Sequence, residues 1–262
     1  MTHHGEVPPA TVARPASPGM PAAARGRRRM VLVAVIVILT ASNIVSNRVW
    51  PQAYVPWNLA VAAVLLVLAR RAGLSWADLG LGRLRLRRGL LIGGLAAGLV
   101  AAVYLVAVLL PATRGAFLDQ RAAGPLSAAL LAALVRIPLG TVVLEEVAFR
   151  GVLPALINGG VNSGDGDGTG WWRGALVSSV LFGLWHVLPS IGVDASNAAM
   201  ASAFGGWGMV AQAALAVVAM TAAGLLLMLW RRWGGHLVTP ALSHLATNSL
   251  GVLIAWWLVS GR

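Results

Sequence analysis

The chain of 262 residues has no cysteine, so disulfides, thiolate metal sites and cysteine nucleophiles are excluded. It has no lysine either: all 20 of its Lys/Arg positions are arginine. Charge is scarce, at 11% of residues against 58% hydrophobic. A soluble domain is about a quarter charged and about half apolar. The balance excludes an ordinary soluble domain and reads as an all-α, polytopic transmembrane bundle. The net charge of +12 does not point to nucleic acid, because the arginines gather between apolar runs, as the orientation signals of membrane proteins do. Arginine-only usage with abundant alanine and glycine suggests a GC-rich, bacterial coding genome.

Residues 1–29 are rich in Pro, Ala and Arg and read as a disordered basic tail ending in Arg25, Arg27, Arg28 and Arg29. His3 and His4 lie in it and read as inert. Residues 30–262 form the membrane domain. A span needs about 20 mostly apolar residues. Spans are expected near 30–47, 55–70, 89–110, 126–149, 174–190, 208–230 and 236–259, seven in all, or eight if one is broken. The run after the tail arginines lacks a convincing small-residue cleavage site and reads as a retained helix, not a signal peptide. Arg70, Arg71, Arg83, Arg85, Arg87 and Arg88 make the loop between spans two and three the most basic, hence cytoplasmic, and the N-terminus with it. The protein is therefore expected in the cell membrane as a multi-pass chain. Trp171, Trp172, Trp230 and Trp233 flank span ends as interface anchors. The Gly-Asp-Gly-Asp-Gly string at 164–168 lacks the spacing and closing glutamate of a calcium loop.

The scarcest groups are the most informative. Two of the three glutamates, Glu145 and Glu146, stand side by side at the end of span four, with Arg150 four residues further on. A carboxylate at membrane depth costs at least about 2.5–3.5 kcal/mol and is usually functional. Glu146 and Arg150 are one helical turn apart and can pair, whereas Glu145 points about 100° away and is free to face something else. Taken alone, the pair could equally be a helix-end salt bridge. Two further segments change that balance. Phe182-Gly183-Leu184-Trp185-His186 lies in span five, and His244-Leu245-Ala246-Thr247-Asn248 in span seven, with His244 and Asn248 on one face. Lipid offers no partners, so these polar groups are expected to meet one another.

Depth is a constraint on that meeting. His186 and His244 lie roughly 18 and 12 Å inside their spans, and Glu145 only roughly 7 Å from Arg150 at the helical rise. The depths agree only if span four runs on beyond Arg150 or the site sits in a water-filled cavity open to the cytoplasm.

Glu-Glu-x-x-x-Arg, Phe-x-x-x-His and His-x-x-x-Asn, in that order on separate spans, resemble the CPBP family of type II CAAX prenyl endopeptidases and bacteriocin-processing or immunity (Abi) proteins. The resemblance covers roughly residues 70–255 and includes the amphipathic stretch Gly73-Leu74-Ser75-Trp76-Ala77-Asp78-Leu79-Gly80-Leu81. It implies an intramembrane endopeptidase acting on a membrane-associated peptide or protein, with the lipid bilayer as its other partner. Glu145 would activate water and His186 would assist it or hold a metal. Glu146 and Arg150 would order the first glutamate, and His244 with Asn248 would bind the oxyanion or complete a metal shell. Glu145, His186 and His244 would be the ligands if that metal were zinc; metal dependence stays open, since the compact His-Glu-x-x-His motif is absent.

Other readings remain. The same groups could serve a catalytically silent immunity or scaffold protein, a proton-coupled transporter or a lipid-modifying enzyme, although a transporter would usually show repeated halves and none is evident. Arg136, nine positions before Glu145, is expected on the opposite helix face, and His236 at an interface. Asn43 and Asn47 read as interhelical hydrogen bonds, and Ser178, Ser179, Ser243 and Ser249 carry no nucleophile signature.

Overall fold

The computed structural model describes residues 22–158, 169–191, 193–204 and 206–260. The tail residues 1–21, with His3 and His4, and the Asp/Gly string at 164–168 lie outside the described residues. Seven principal helices carry the fold: α1 (Ala22–Val49), α2 (Tyr54–Arg71), α3 (Leu86–Leu109), α4 (Leu126–Asn158), α5 (Thr169–Trp185), α6 (Gly208–Gly234) and α7 (Val238–Ser260). Among the described residues there is no strand.

Six of these helices, all but α5, are long and apolar enough to cross a membrane, so the expected count of seven or eight spans is not reached on length. α5 has 17 residues and stops at Trp185. The physical reason lies four residues on: Pro189 has no N–H to give the Trp185 carbonyl. That carbonyl accepts from Asn43 Nδ2 of α1 at 2.9 Å instead, an interhelical bond of the kind expected for Asn43. Asn47, by contrast, bonds back to Asn43 within its own helix. α1 begins at Ala22, earlier than residue 30, because Ala and Arg are strong helix formers and extend the span into its basic flank.

The buried core joins α1, α2, α4 and α5, with Leu65, Leu74, Leu144 and Leu153 fully enclosed. Large apolar residues such as Leu91, Leu95 and Val210 face outward, as a lipid-facing surface requires. Helices approach closely where side chains vanish. A Cβ on Gly93 of α3 would lie 3.0 Å from Thr239 Cα of α7, and Thr239 Oγ1 donates to the Gly89 carbonyl at 3.1 Å. α3 and α7 therefore run parallel in contact, held by small residues rather than by hydrophobic burial.

The stretch between α2 and α3 behaves as its amphipathic pattern implies. Ser75 and Asp78 bond reciprocally, Leu74 and Leu79 are fully buried, and Trp76 is half exposed beneath the Arg70 guanidinium. Gly80 accepts from the Leu237 N–H at 2.8 Å, which ties this stretch to the α6–α7 turn. His236 in that turn is buried and accepts the Val238 N–H on Nδ1. Burial, and then Arg231, push its imidazole below the usual value, which suits an acceptor at a helix start and not a proton-transfer group.

Candidate active site

α4 is the unusual helix. The glutamates sit in a short α-helical turn, Val143–Glu146, between two π-helical stretches, Ala132–Val142 and Val147–Val152. A π stretch pairs each carbonyl with the N–H five residues on and often marks a functional site. Here the register creates two orphans. The partner of the Ala133 carbonyl would be Pro138 and that of Phe149 would be Pro154, neither of which has an N–H. Neighbouring helices supply the missing donors. Ser249 Oγ of α7 donates to Ala133 at 2.8 Å, and Ser178 Oγ of α5 donates to Phe149 at 2.5 Å. The serines that carried no nucleophile signature thus clamp α5 and α7 to α4 on either side of the glutamate pair.

α4 continues to Asn158, two turns beyond Arg150, instead of ending near 149. The expected mismatch in depth disappears, because the carboxylates lie well inside the span. Glu145, Glu146, Arg150 and His244 are all buried. His244 Nδ1 lies 2.7 Å from Glu146 Oε1, and its Nε2 lies 3.6 Å from Glu145 Oε2. Arg150 Nη1 is 3.4 Å from Glu146 Oε1, the pairing expected from the spacing, and its guanidinium stands 3.9 Å over the Phe182 ring. Asn248 Nδ2 is 3.1 Å from His244 Nε2. A carboxylate only accepts, so Glu146 takes the Nδ1 proton, and Nε2 is left to accept from the Asn248 amide.

Trp185 was not singled out by sequence reasoning. Its indole Nε1 donates to Glu145 Oε1 at 2.9 Å. The available signal was its place beside His186 in a span: a buried indole N–H needs an acceptor. Glu145 Oε2 keeps no hydrogen-bond partner in its buried position.

His186 does not touch the carboxylate network directly. Its Nδ1 lies 2.8 Å from the Phe182 carbonyl in the last turn of α5, and its ring packs edge-on against Phe182 with centroids 4.5 Å apart. A carbonyl accepts only, so the proton is on Nδ1 and Nε2 carries the lone pair. Among the described residues no three His, Asp or Glu side chains come together as a metal shell. Glu145, His186 and His244 in this arrangement do not fit the zinc site the resemblance allowed.

Arg136 is exposed, with its guanidinium 4.7 Å from the Tyr54 ring centre. It lies in the π stretch, where the 100°-per-residue arithmetic behind the opposite-face expectation does not apply.

Two cavities reach the network. One, of about 370 Å³, lies among α3, α5, α6 and α7, with His186, His244 and Asn248 in its otherwise mostly apolar wall. It extends to Trp230, next to Arg231 and Arg232 at the arginine-rich end. The other, of about 630 Å³, lies between α4, α7 and the Gly115–Ala122 segment at the opposite end of α3. Both are lined by Tyr104, Thr247 and Asn248.

Residues 127–250 match the family model described as Rce1-like, Type II CAAX prenyl endopeptidase Rce1-like. These residues are similar to the CAAX-peptidase domain of the CPBP family. The match spans just under half of the chain and contains all of Glu145, Glu146, Arg150, His186, His244 and Asn248. No curated protein and no solved structure matches the chain. The matched segment lies within a polytopic helical membrane protein, which supports an intramembrane protease at the level of the family.

Proposed function

We propose that this protein is an intramembrane endopeptidase in which Glu145 activates the attacking water. The observation that carries the reading is the place of that carboxylate's second oxygen beside His244 Nε2. Oε1 is fixed by the Trp185 indole, while Oε2 is buried, without a hydrogen-bond partner, and 3.6 Å from His244 Nε2. Glu146 Oε2 is also buried and unpartnered, but the Glu145 oxygen faces the His244 nitrogen that Asn248 touches at the cavity wall. A carboxylate held there on one oxygen is placed to take a proton from a water admitted with substrate. The hydroxide adds to the scissile carbonyl carbon, and the proton passes to the amine as the C–N bond breaks. An amide nitrogen has two donor hydrogens, so Asn248 can hold His244 with one and meet the oxyanion with the other. His186, with its Nε2 lone pair and its place in the cavity wall with His244, is suited to hold the water or relay its proton. Glu146 and Arg150 fix His244 and neutralise each other.

The substrate is proposed to be a membrane-associated peptide entering along the cavity that extends to Trp230, on the side that the arginine clusters mark as cytoplasmic. Mostly apolar walls suit a lipid-bearing or apolar segment. The test is cleavage of a fluorogenic farnesylated CAAX peptide by the purified protein in lipid nanodiscs, wild type against Glu145→Gln. Cleavage that Glu145→Gln abolishes supports the reading; equal cleavage by both assigns the base elsewhere.

A further inference from the structure

The larger cavity has no part in the scheme above. It sits at the end of α3 away from Arg83, Arg85, Arg87 and Arg88, and it meets the surface at Ala116 and Arg121, which are exposed. Its walls are wide because they are small: Ala122, Ala132, Gly251 and Ala255 line it, beside the edge-on pair Tyr104 and Phe117 with centroids 5.2 Å apart. One side is charged. Asp119 takes Nε and Nη2 of Arg121 and the Arg121 backbone N–H. Burial alone would raise the Asp119 carboxyl, but the Arg121 bonds outweigh it and hold it below its usual value. The pair is therefore a fixed ionic wall, with Nη1 of Arg121 as a further donor on it. The segment itself is braced: Asn197 Nδ2 donates to the Ala116 carbonyl at 2.9 Å, and the Gly124 N–H donates to Ser260 Oγ at 3.1 Å.

The floor of this cavity is shared with the site, through Thr247 and Asn248. A peptide cleaved at Asn248 must continue on both sides of the scissile bond. One continuation has the cavity that extends to Trp230, with apolar walls. The other has the cavity with the ionic wall, on the opposite face of the bundle.

We infer that the cavity beside Gly115–Ala122 is a second substrate vestibule, which receives a polar, extended peptide segment from the face opposite the arginine clusters. Arg121 Nη1 meets a main-chain carbonyl or carboxylate there, and the small walls admit side chains without selecting them strongly. This inference rests on the peptidase reading, since it names where one half of the same substrate lies.

The absence of cysteine makes the test direct. Single variants Ala122→Cys, at the mouth, and Thr247→Cys, at the floor, are compared with Leu84→Cys, fully exposed in the arginine-rich segment. A membrane-impermeant maleimide is applied to one face or the other of sealed vesicles. Ala122→Cys and Thr247→Cys should both label from the face where Leu84→Cys does not. The farnesylated CAAX peptide with a polar extension, added at saturating concentration, should slow labelling at both by at least fivefold and leave Leu84→Cys unchanged. Labelling of Thr247→Cys only from the Leu84 face, or from neither face, overturns the vestibule. Labelling from the opposite face without protection overturns its role in substrate binding. Protection needs no turnover, so a peptide that protects without being cleaved sinks the peptidase reading alone, and one that is cleaved without protecting sinks this inference alone.

Discussion

His244 stands between the two glutamates, 2.7 Å from Glu146 on one ring nitrogen and 3.6 Å from Glu145 on the other. One imidazole thus reads the state of both carboxylates. Glu146, beside Arg150, fixes the ring and its proton; Glu145, beside Trp185, sets its second oxygen against the other ring nitrogen. Two identical side chains adjacent in sequence acquire different chemistry from the partners that α5 and α7 bring to them.

Removing the Glu145 carboxylate should remove the base. Glu145→Gln is expected to lower kcat for the model peptide by at least about 10²-fold with the fold intact. Trp185→Phe keeps the ring and loses the indole donor, so its effect should be smaller and fall on kcat more than KM. A Glu145→Gln enzyme with near-wild-type kcat would place the base elsewhere, with His186 the next group to test.

Arg150 is expected to act through stability. Its deletion leaves Glu146 charged in a dry site, which typically costs about 3–5 kcal/mol. Arg150→Ala should therefore unfold at markedly lower temperature in detergent or nanodiscs. The double variant Arg150→Ala/Glu146→Gln should recover part of that loss, because the uncompensated charge is gone. A double variant no more stable than Arg150→Ala would mean that packing against Phe182, not charge, is what Arg150 supplies.

The bond between Ser249 and the Ala133 carbonyl follows from a missing hydrogen on Pro138, and that can be tested in a cycle. Ser249→Ala should cost about 1–3 kcal/mol by orphaning a buried carbonyl. In a Pro138→Ala background an N–H is restored, and the same substitution should cost less. Equal costs in the two backgrounds, read by equilibrium unfolding, would show that Ser249 does not compensate for the proline.

α5 meets α6 at Gly183, where a Cβ would lie 2.4 Å from Thr221 Oγ1 and 2.5 Å from the Val217 carbonyl. Gly183→Ala should force the helices apart and cost about 1–3 kcal/mol. Thr221→Ala should relieve only the side-chain half of that clash, because the carbonyl remains. His186 lies three residues on, just past the end of α5, so activity should fall further than stability alone accounts for.

The arrangement of the carboxylates and histidines predicts turnover that survives chelation. Purified wild-type protein treated with a strong chelator should keep its rate on the model peptide, and elemental analysis should find less than stoichiometric metal. Loss of activity together with one equivalent of zinc, both restored on adding zinc back, would require His186 to turn away from Phe182 and join His244 and Glu145.

Much of this was legible in the sequence because lipid is an unforgiving solvent. Scarce charge and long apolar runs dictated an all-α membrane bundle, and the rarity of polar groups inside it picked out Glu145, Glu146, Arg150, His186, His244 and Asn248. The four-residue spacing of Glu146 and Arg150 was enough to pair them, since one helical turn is a local property. Trp185 escaped notice because a tryptophan in a span is ordinary until its indole finds a buried acceptor. The length of α4 escaped because Arg150 and Pro154 read as the end of a span, although the chain stays apolar from Gly151 to Ile157. What the tertiary structure alone decided is which partner each carboxylate meets, which histidine bridges and where the cavities run. Those depend on the approach of α5 and α7 to a π-distorted α4, and on serines that answer prolines more than twenty residues away (Ser178 for Pro154, Ser249 for Pro138). A one-dimensional pattern cannot carry such pairings, because each is fixed by where helices cross and not by the residues next to it in the chain.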